Sequence, residues 1–164
     1  MSKTDKNLQE AFAGESQANR KYLAFAKKAD AEGYKQVAKL FRAAAEAETV
    51  HAMNHLKELG AIKNTKENLT EAISGETHEF QSMYPQMIAD AETEGIKGAL
   101  RSFNYANEVE KIHADLYKKM LDALGKNEDV DYYVCQVCGN TFEGEPPDKC
   151  PICGALKKSF KKVE

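Results

Sequence analysis

The chain has 164 residues, 42% hydrophobic and 30% charged, with a formal net charge of −3 at pH 7. That suffices for one well-buried core, or for one core and a small stapled module, of ordinary globular composition. No apolar stretch approaches the ~20 residues that span a bilayer, the first residues lead into no secretory apolar run, and no arginine-rich stripe offsets the negative charge, so a cytoplasmic protein without membrane or nucleic-acid partners is expected.

Four long helix-compatible stretches come first in chain order. Each is followed by a glycine, Gly33, Gly60, Gly95 or Gly125, the residue that accepts positive φ past a helix C-terminus. The predicted helices are 4–32, 34–59, 69–94 and 96–124, with 64–68 a polar connection. From about Val130 the composition changes to Tyr132, Tyr133, Val134, cysteines, Pro146 and Pro147, which predicts short strands and turns. The expected organisation is an all-α four-helix bundle over 1–129 and a small β-rich metal-binding domain over 130–164.

The helical part repeats itself. Gly14-Glu15 matches Gly75-Glu76 after 61 positions, and Glu48-x-x-His51 matches Glu110-x-x-His113 after 62, in agreement within one residue with the Gly33 to Gly95 spacing. Two copies of a helix pair facing each other about a pseudo-twofold axis are predicted.

The apolar stripes at helical spacing contain acid. Glu15 interrupts Leu8, Ala11, Phe12, Ala18 and Tyr22; Glu48 and His51 interrupt Val37, Phe41, Ala44 and Ala52. Glu76 and Glu79 follow Leu69, Ala72 and Ile73, while Glu110 and His113 lie between Ala106 and Tyr117. Burying one isolated carboxylate costs several kcal/mol, so five without cations would exceed a typical stability of about 5 to 15 kcal/mol. A multivalent cation resolves the conflict. Five carboxylates and two imidazoles suit iron or manganese better than magnesium or copper(I). Glu at i and His at i+3 lie one turn apart on one face, and a Glu from each of two helices with Glu-x-x-His from the other two is the ferritin-like arrangement of di-iron carboxylate proteins. A lone Glu or His would read as a polar residue on a solvated face; seven coincident residues, six of them obeying the repeat, do not.

Glu79 breaks the symmetry, since its repeat equivalent is Ala18. A surplus carboxylate permits ligand exchange, and the expectation is that the metal nearest Glu79 swaps that oxygen for the His51 imidazole on reduction. Tyr22 and Tyr84 are placed to hydrogen-bond ligand carboxylates or supply protons, or else to fill the core. His55 is read as a core or second-layer histidine and His78 as exposed. Gly14 and Gly75 suggest close helix approach, and Pro85 a kink.

The four cysteines form two pairs, Cys135-x-x-Cys138-Gly and Cys150-Pro-x-Cys153-Gly, with eleven residues between them. In a chain read as cytoplasmic this is metal ligation before disulfides. A segment of about 35 residues cannot bury enough apolar area alone, so the metal is part of its stability. Spacing does not choose between structural zinc and redox-active iron; the neighbouring carboxylate site favours iron.

The order Gly-Glu15, Glu48-x-x-His51, Glu76-x-x-Glu79 with Met83-Tyr84-Pro85, Glu110-x-x-His113 and the two terminal cysteine knuckles resembles rubrerythrins over essentially the whole chain. The resemblance implies a ferritin-like domain fused to a rubredoxin-like domain in a homodimer, reducing hydrogen peroxide to water with electrons entering through the four-cysteine iron. It further implies three Fe per chain, with Zn able to substitute in either site. One iron would take Glu15 with Glu79 or His51, the other Glu76 and His113, with Glu48 and Glu110 bridging. The donor would be a redox protein such as rubredoxin or an NAD(P)H-dependent reductase. The rival expectation is a ferroxidase or iron-handling protein, against which the cysteine module argues.

Overall fold

The computed structural model describes residues 2–164 and groups the chain into two compact units, one of residues up to Lys63 and the other Asn64–Glu164. The first unit is a helical hairpin of α1 (Lys3–Ala31) and α2 (Lys35–Glu58). A capping box starts α1: Ser2 Oγ accepts the Asp5 N–H at 3.0 Å and Asp5 Oδ2 accepts the Ser2 N–H at 2.8 Å, so two otherwise orphaned donors are satisfied. Gly33, at φ +87°, reverses the chain.

The seam of this hairpin is made of small residues. Ala26 and Ala29 on α1 and Ala38, Ala45 and Ala52 on α2 are buried. The three on α2 recur every seven residues, a spacing that keeps one narrow face against a neighbour. Buried Asn19 crosses the seam, its Nδ2 donating to Ala45 O at 2.6 Å and Thr49 Oγ1 at 2.9 Å. Of the polar residues in the apolar stripes of α1 and α2, Glu15 and Glu48 are half-buried and His51 is exposed.

In the second unit, α3 (Thr65–His78), a π turn (Glu79–Met83) and α4 (Tyr84–Thr93) follow one another without a break, and α5 (Lys97–Asp122) returns beside them. The helix starts four residues before the predicted 69 because Asn64 and Glu67 form a second capping box, with the Glu67 N–H on Asn64 Oδ1 at 3.0 Å. The irregularity expected at Pro85 takes the form of the π turn: the Tyr84 N–H reaches back to Glu79 O, and Pro85, with no N–H to give, sits where the helix resumes.

A π turn inserts one residue into a helix. It therefore accounts for the repeat offset, 61 ahead of it (Glu15 to Glu76) and 62 beyond it (Ala29 to Ala91). Tyr22 becomes the equivalent of Tyr84, and each ring leans on the equivalent phenylalanine of the returning helix: Tyr22 on Phe41 at 6.1 Å and Tyr84 on Phe103 at 6.3 Å between centroids. Ala29 and Ala91, and Ala52 and Ala114, are likewise equivalent and buried. Among the described residues, apart from the adjacent residues and each helix's own neighbouring backbone, no atom lies within 4 Å of a Cβ built at Gly14 or Gly75, so the close approach expected there is not made within either hairpin.

The second unit ends in a three-stranded antiparallel sheet in the order β2-β1-β3, from β1 (Tyr132–Cys135), β2 (Thr141–Glu143) and β3 (Phe160–Val163). Tyr133 stands opposite Phe142 and Lys162, and Phe142 meets Phe160 edge to face at 5.6 Å. The sheet lies along α5, joined by the Lys119–Glu143 ion pair and by Tyr132 Oη on Met120 Sδ at 3.9 Å.

Candidate metal centres

Each helical hairpin carries one triad. On the first, α1 supplies Glu15 and α2 supplies Glu48 and His51; on the second, α3 supplies Glu76 and α5 supplies Glu110 and His113. In each triad one ligand atom per residue lies within 4.8 Å of the others. The i, i+3 spacing does what a helix face allows, bringing His51 Nδ1 to 3.0 Å from Glu48 Oε2 and His113 Nδ1 to 2.8 Å from Glu110 Oε2. His113 Nδ1 also lies 3.7 Å from Glu76 Oε1. Among the described residues, none of the five carboxylates pairs with Lys or Arg.

Such clusters are electrostatically unfavourable when empty. Burial raises the pKa of Glu76 and the Glu110 charge raises it further, with Glu79 adding to the effect and His113 opposing it. Glu79 stands outside both triads, at the first residue of the π turn, near enough for its charge to act on Glu76 and Tyr84. Burial, and then the charges of Glu110, Glu79 and Glu76, raise the Tyr84 hydroxyl above the usual tyrosine range. Tyr22 packs its ring on Phe25 and Phe41. His78 is exposed and His55 half-buried.

The four cysteines converge as two matching knuckles. The Gly139 N–H bonds Cys135 O and the Gly154 N–H bonds Cys150 O, each at 2.9 Å, with both glycines at positive φ. Cys135 Sγ lies 3.7 Å from Cys153 Sγ, and Cys138 Sγ 3.6 Å from Cys150 Sγ. A disulfide needs about 2.05 Å, whereas four thiolates about 2.3 Å from a tetrahedral ion are about 3.8 Å apart. Burial raises the thiols of Cys138 and Cys153; at Cys150 burial also raises the thiol, but the backbone N–H groups of Cys153 and Ile152, together with Cys138 and the Asn140 amide, lower it more and bring it down to about 7. N–H groups aimed at sulfur favour the thiolate that a metal requires.

The family model described as Rubrerythrin matches residues 6–121, and the model described as the rubredoxin-like domain of rubrerythrin matches 133–161. The chain belongs to the rubrerythrin family. Rubrerythrin-2 of Clostridium acetobutylicum is 38% identical over 170 residues, covering 93% of this chain and 92% of that protein. Nigerythrin of Nitratidesulfovibrio vulgaris is 37% identical over 171 residues, covering 96% and 85%. Among solved structures, fully reduced nigerythrin matches with a TM-score of 0.61 at 33% identity, over 99% of this chain and 88% of that one. The rubrerythrin fold class, a helical ferritin-like domain with a small rubredoxin-like sheet, is thereby shown.

The donor atoms fit the metals this family implies: carboxylate and imidazole in the triads, thiolates alone in the knuckles. Two residues of these sites carried no signal in the sequence. Asn140 is fully buried, holds the Cys135 N–H on its carbonyl at 2.9 Å and directs Nδ2 toward Cys150 Sγ at 3.7 Å. Thr141 Oγ1 lies 2.9 Å from His113 Nε2, so the rubredoxin-like sheet touches a candidate ligand of the helical domain.

Proposed function

We propose that this rubrerythrin is a peroxidase that reduces hydrogen peroxide to water, with Glu15, Glu48, His51, Glu76, Glu79, Glu110 and His113 holding an iron pair and Cys135, Cys138, Cys150 and Cys153 a third iron. The observation that carries this is the contact of the four-cysteine sheet with a triad residue, Thr141 on His113, because an iron store has no need of an electron entry placed against its ligands. When bound, the iron pair supplies the two electrons that turn hydrogen peroxide and two protons into two waters, and the four-thiolate iron returns them singly.

The chain's own residues prepare that chemistry. Tyr84, its pKa raised, keeps its hydroxyl proton at any physiological pH and offers it among the carboxylates. The ring packed on each tyrosine, Phe41 or Phe103, is apolar and keeps water from that side. Glu79, outside the triads, is the carboxylate free to bind or leave, with His51 as its counterpart.

We further propose a homodimer in the cytoplasm, fed by rubredoxin or by an NAD(P)H-dependent reductase; among the described residues no helix is long and apolar enough to cross a membrane. Ferritin-like bundles use one long crossover connection. Here four residues separate the caps Leu59 and Asn64, a reach of about 18 Å against about 36 Å for a helix the length of α2. Leu40, Val50 and Met53 are more than half exposed, an apolar surface suited to a second copy. We infer that helix pairs from two copies complete each other. A heterodimer of a Glu15→Ala chain and a Glu76→Ala chain then has one intact centre and recovers about half of the wild-type activity; no recovery beyond the single variants contradicts exchange.

The activity is tested by reducing the protein anaerobically, mixing it with one equivalent of peroxide or of oxygen, and following the return of the thiolate-to-iron(III) absorption. Fast return with peroxide and slow return with oxygen is expected. Faster return with oxygen points to iron oxidation instead, and absence of the band to zinc in the cysteine site.

A further inference from the structure

The two candidate ligand histidines are equivalent in the repeat but are held differently. Both turn Nδ1 toward carboxylates. His113 Nε2, on the far side of its ring, meets Thr141 Oγ1 at 2.9 Å, and the same hydroxyl lies 3.3 Å from Gly139 O, to which it donates. With its proton committed to Gly139, the hydroxyl can only accept from His113. The Nε2 of His113 therefore carries the hydrogen, so that when a cation lies among His113, Glu76 and Glu110 the Nδ1 lone pair is the one that meets it; without a cation, Nδ1 can approach Glu110 Oε2 at 2.8 Å only as an N–H donor. His51 Nε2 has no hydrogen-bond partner among the described residues, and its side chain is 54% exposed against 28% for His113.

Thr141 opens β2, and Gly139 is the glycine that closes the Cys135–Cys138 knuckle. The knuckle's fold thus dictates where the hydroxyl stands. We propose that Thr141 is a positioning residue: from the four-cysteine module it fixes the tautomer and ring orientation of His113, and so which nitrogen that imidazole offers to a metal. This rests on the reading of the triads as metal ligands.

The test uses the full chain labelled with 15N-histidine and loaded with zinc, a diamagnetic stand-in, as wild type, Thr141→Val and Thr141→Ser. Wild type and Thr141→Ser are expected to show His113 bound through Nδ1 with a protected Nε2–H. In Thr141→Val that proton should exchange at least about 10-fold faster, and zinc affinity at the triads should fall by about 10- to 100-fold, the usual cost of losing a group that orients a ligand, with the His51 signals unchanged. Thr141→Val behaving as wild type in both respects overturns the proposal, as does Thr141→Ser impaired as much as Thr141→Val, since the hydroxyl would then not be what matters. A wild-type His113 with no metal-bound nitrogen overturns the metal-site reading itself, and the proposal with it.

Discussion

The surroundings of Glu76 resist a negative charge, first through burial and then through Glu110. A carboxyl whose pKa is raised by folding stabilises the fold fully below its unfolded value, and that contribution is lost as pH rises through the folded value. At pH 7 the metal-free chain therefore carries a cost that Glu76→Gln removes. The variant should melt higher than wild type at pH 7 without metal, show little difference at pH 4, and bind metal more weakly; identical metal-free melting at pH 7 contradicts this. Asn19 is the opposite kind of residue, a buried amide whose Nδ2 bonds Ala45 O and Thr49 Oγ1 across the first hairpin. Asn19→Ala should destabilise the protein by about 1 to 3 kcal/mol in urea unfolding, with metal content unchanged in the folded protein. Neither effect was readable from the sequence, because both depend on which neighbours the fold supplies.

Among the elements, the π turn Glu79–Met83 has the clearest consequence. It holds Glu79 at its start and, by taking up one residue, puts Tyr84 in the place that Tyr22 has in the first hairpin. Deleting Gln81 restores regular α-helix and turns Glu79 about 100° away from its present direction relative to Tyr84. Helix content by circular dichroism should not change, while the peroxide rate should fall 10-fold or more, since catalytic groups tolerate little displacement; an undiminished rate would show that the turn has no part in the site. The one-residue mismatch between repeat offsets was visible in the sequence, and so were both triads, because a carboxylate within an apolar stripe is a local anomaly. The α1–α2 seam was less legible. The stripe drawn on that helix includes Ala52 but otherwise follows Val37, Phe41 and Ala44, whereas the buried seam runs through Ala38, Ala45 and Ala52, and alanines carry too little surface to mark one face over its neighbour. Thr141 was invisible, since only the folding of the cysteine knuckle brings it to His113.

At the scale of the whole molecule, two kinds of metal site do different work. Within 132–163 only Cys135, Asn140, Pro146 and Cys150 are buried, too small a core to stand alone, so the fold of this module is expected to depend on an ion held by its four thiolates. Cys150→Ser should collapse the amide resonances of residues 132–163 into the unfolded range while α1 to α5 keep theirs; a module still dispersed in that variant would show that the metal is not its staple. The helical part depends on a different idea, that two triads 61 and 62 residues apart in sequence serve one metal pair. The direct measurement is electron paramagnetic resonance on the fully reduced, iron-loaded chain during stepwise oxidation. Removal of one electron from a shared pair should give a spin-coupled mixed-valence signal, which disappears when the second electron is removed, in addition to the isolated ferric signal of the four-cysteine site. If isolated ferric signals alone grow in with each equivalent of oxidant, the two triads bind separate ions and the shared centre does not exist.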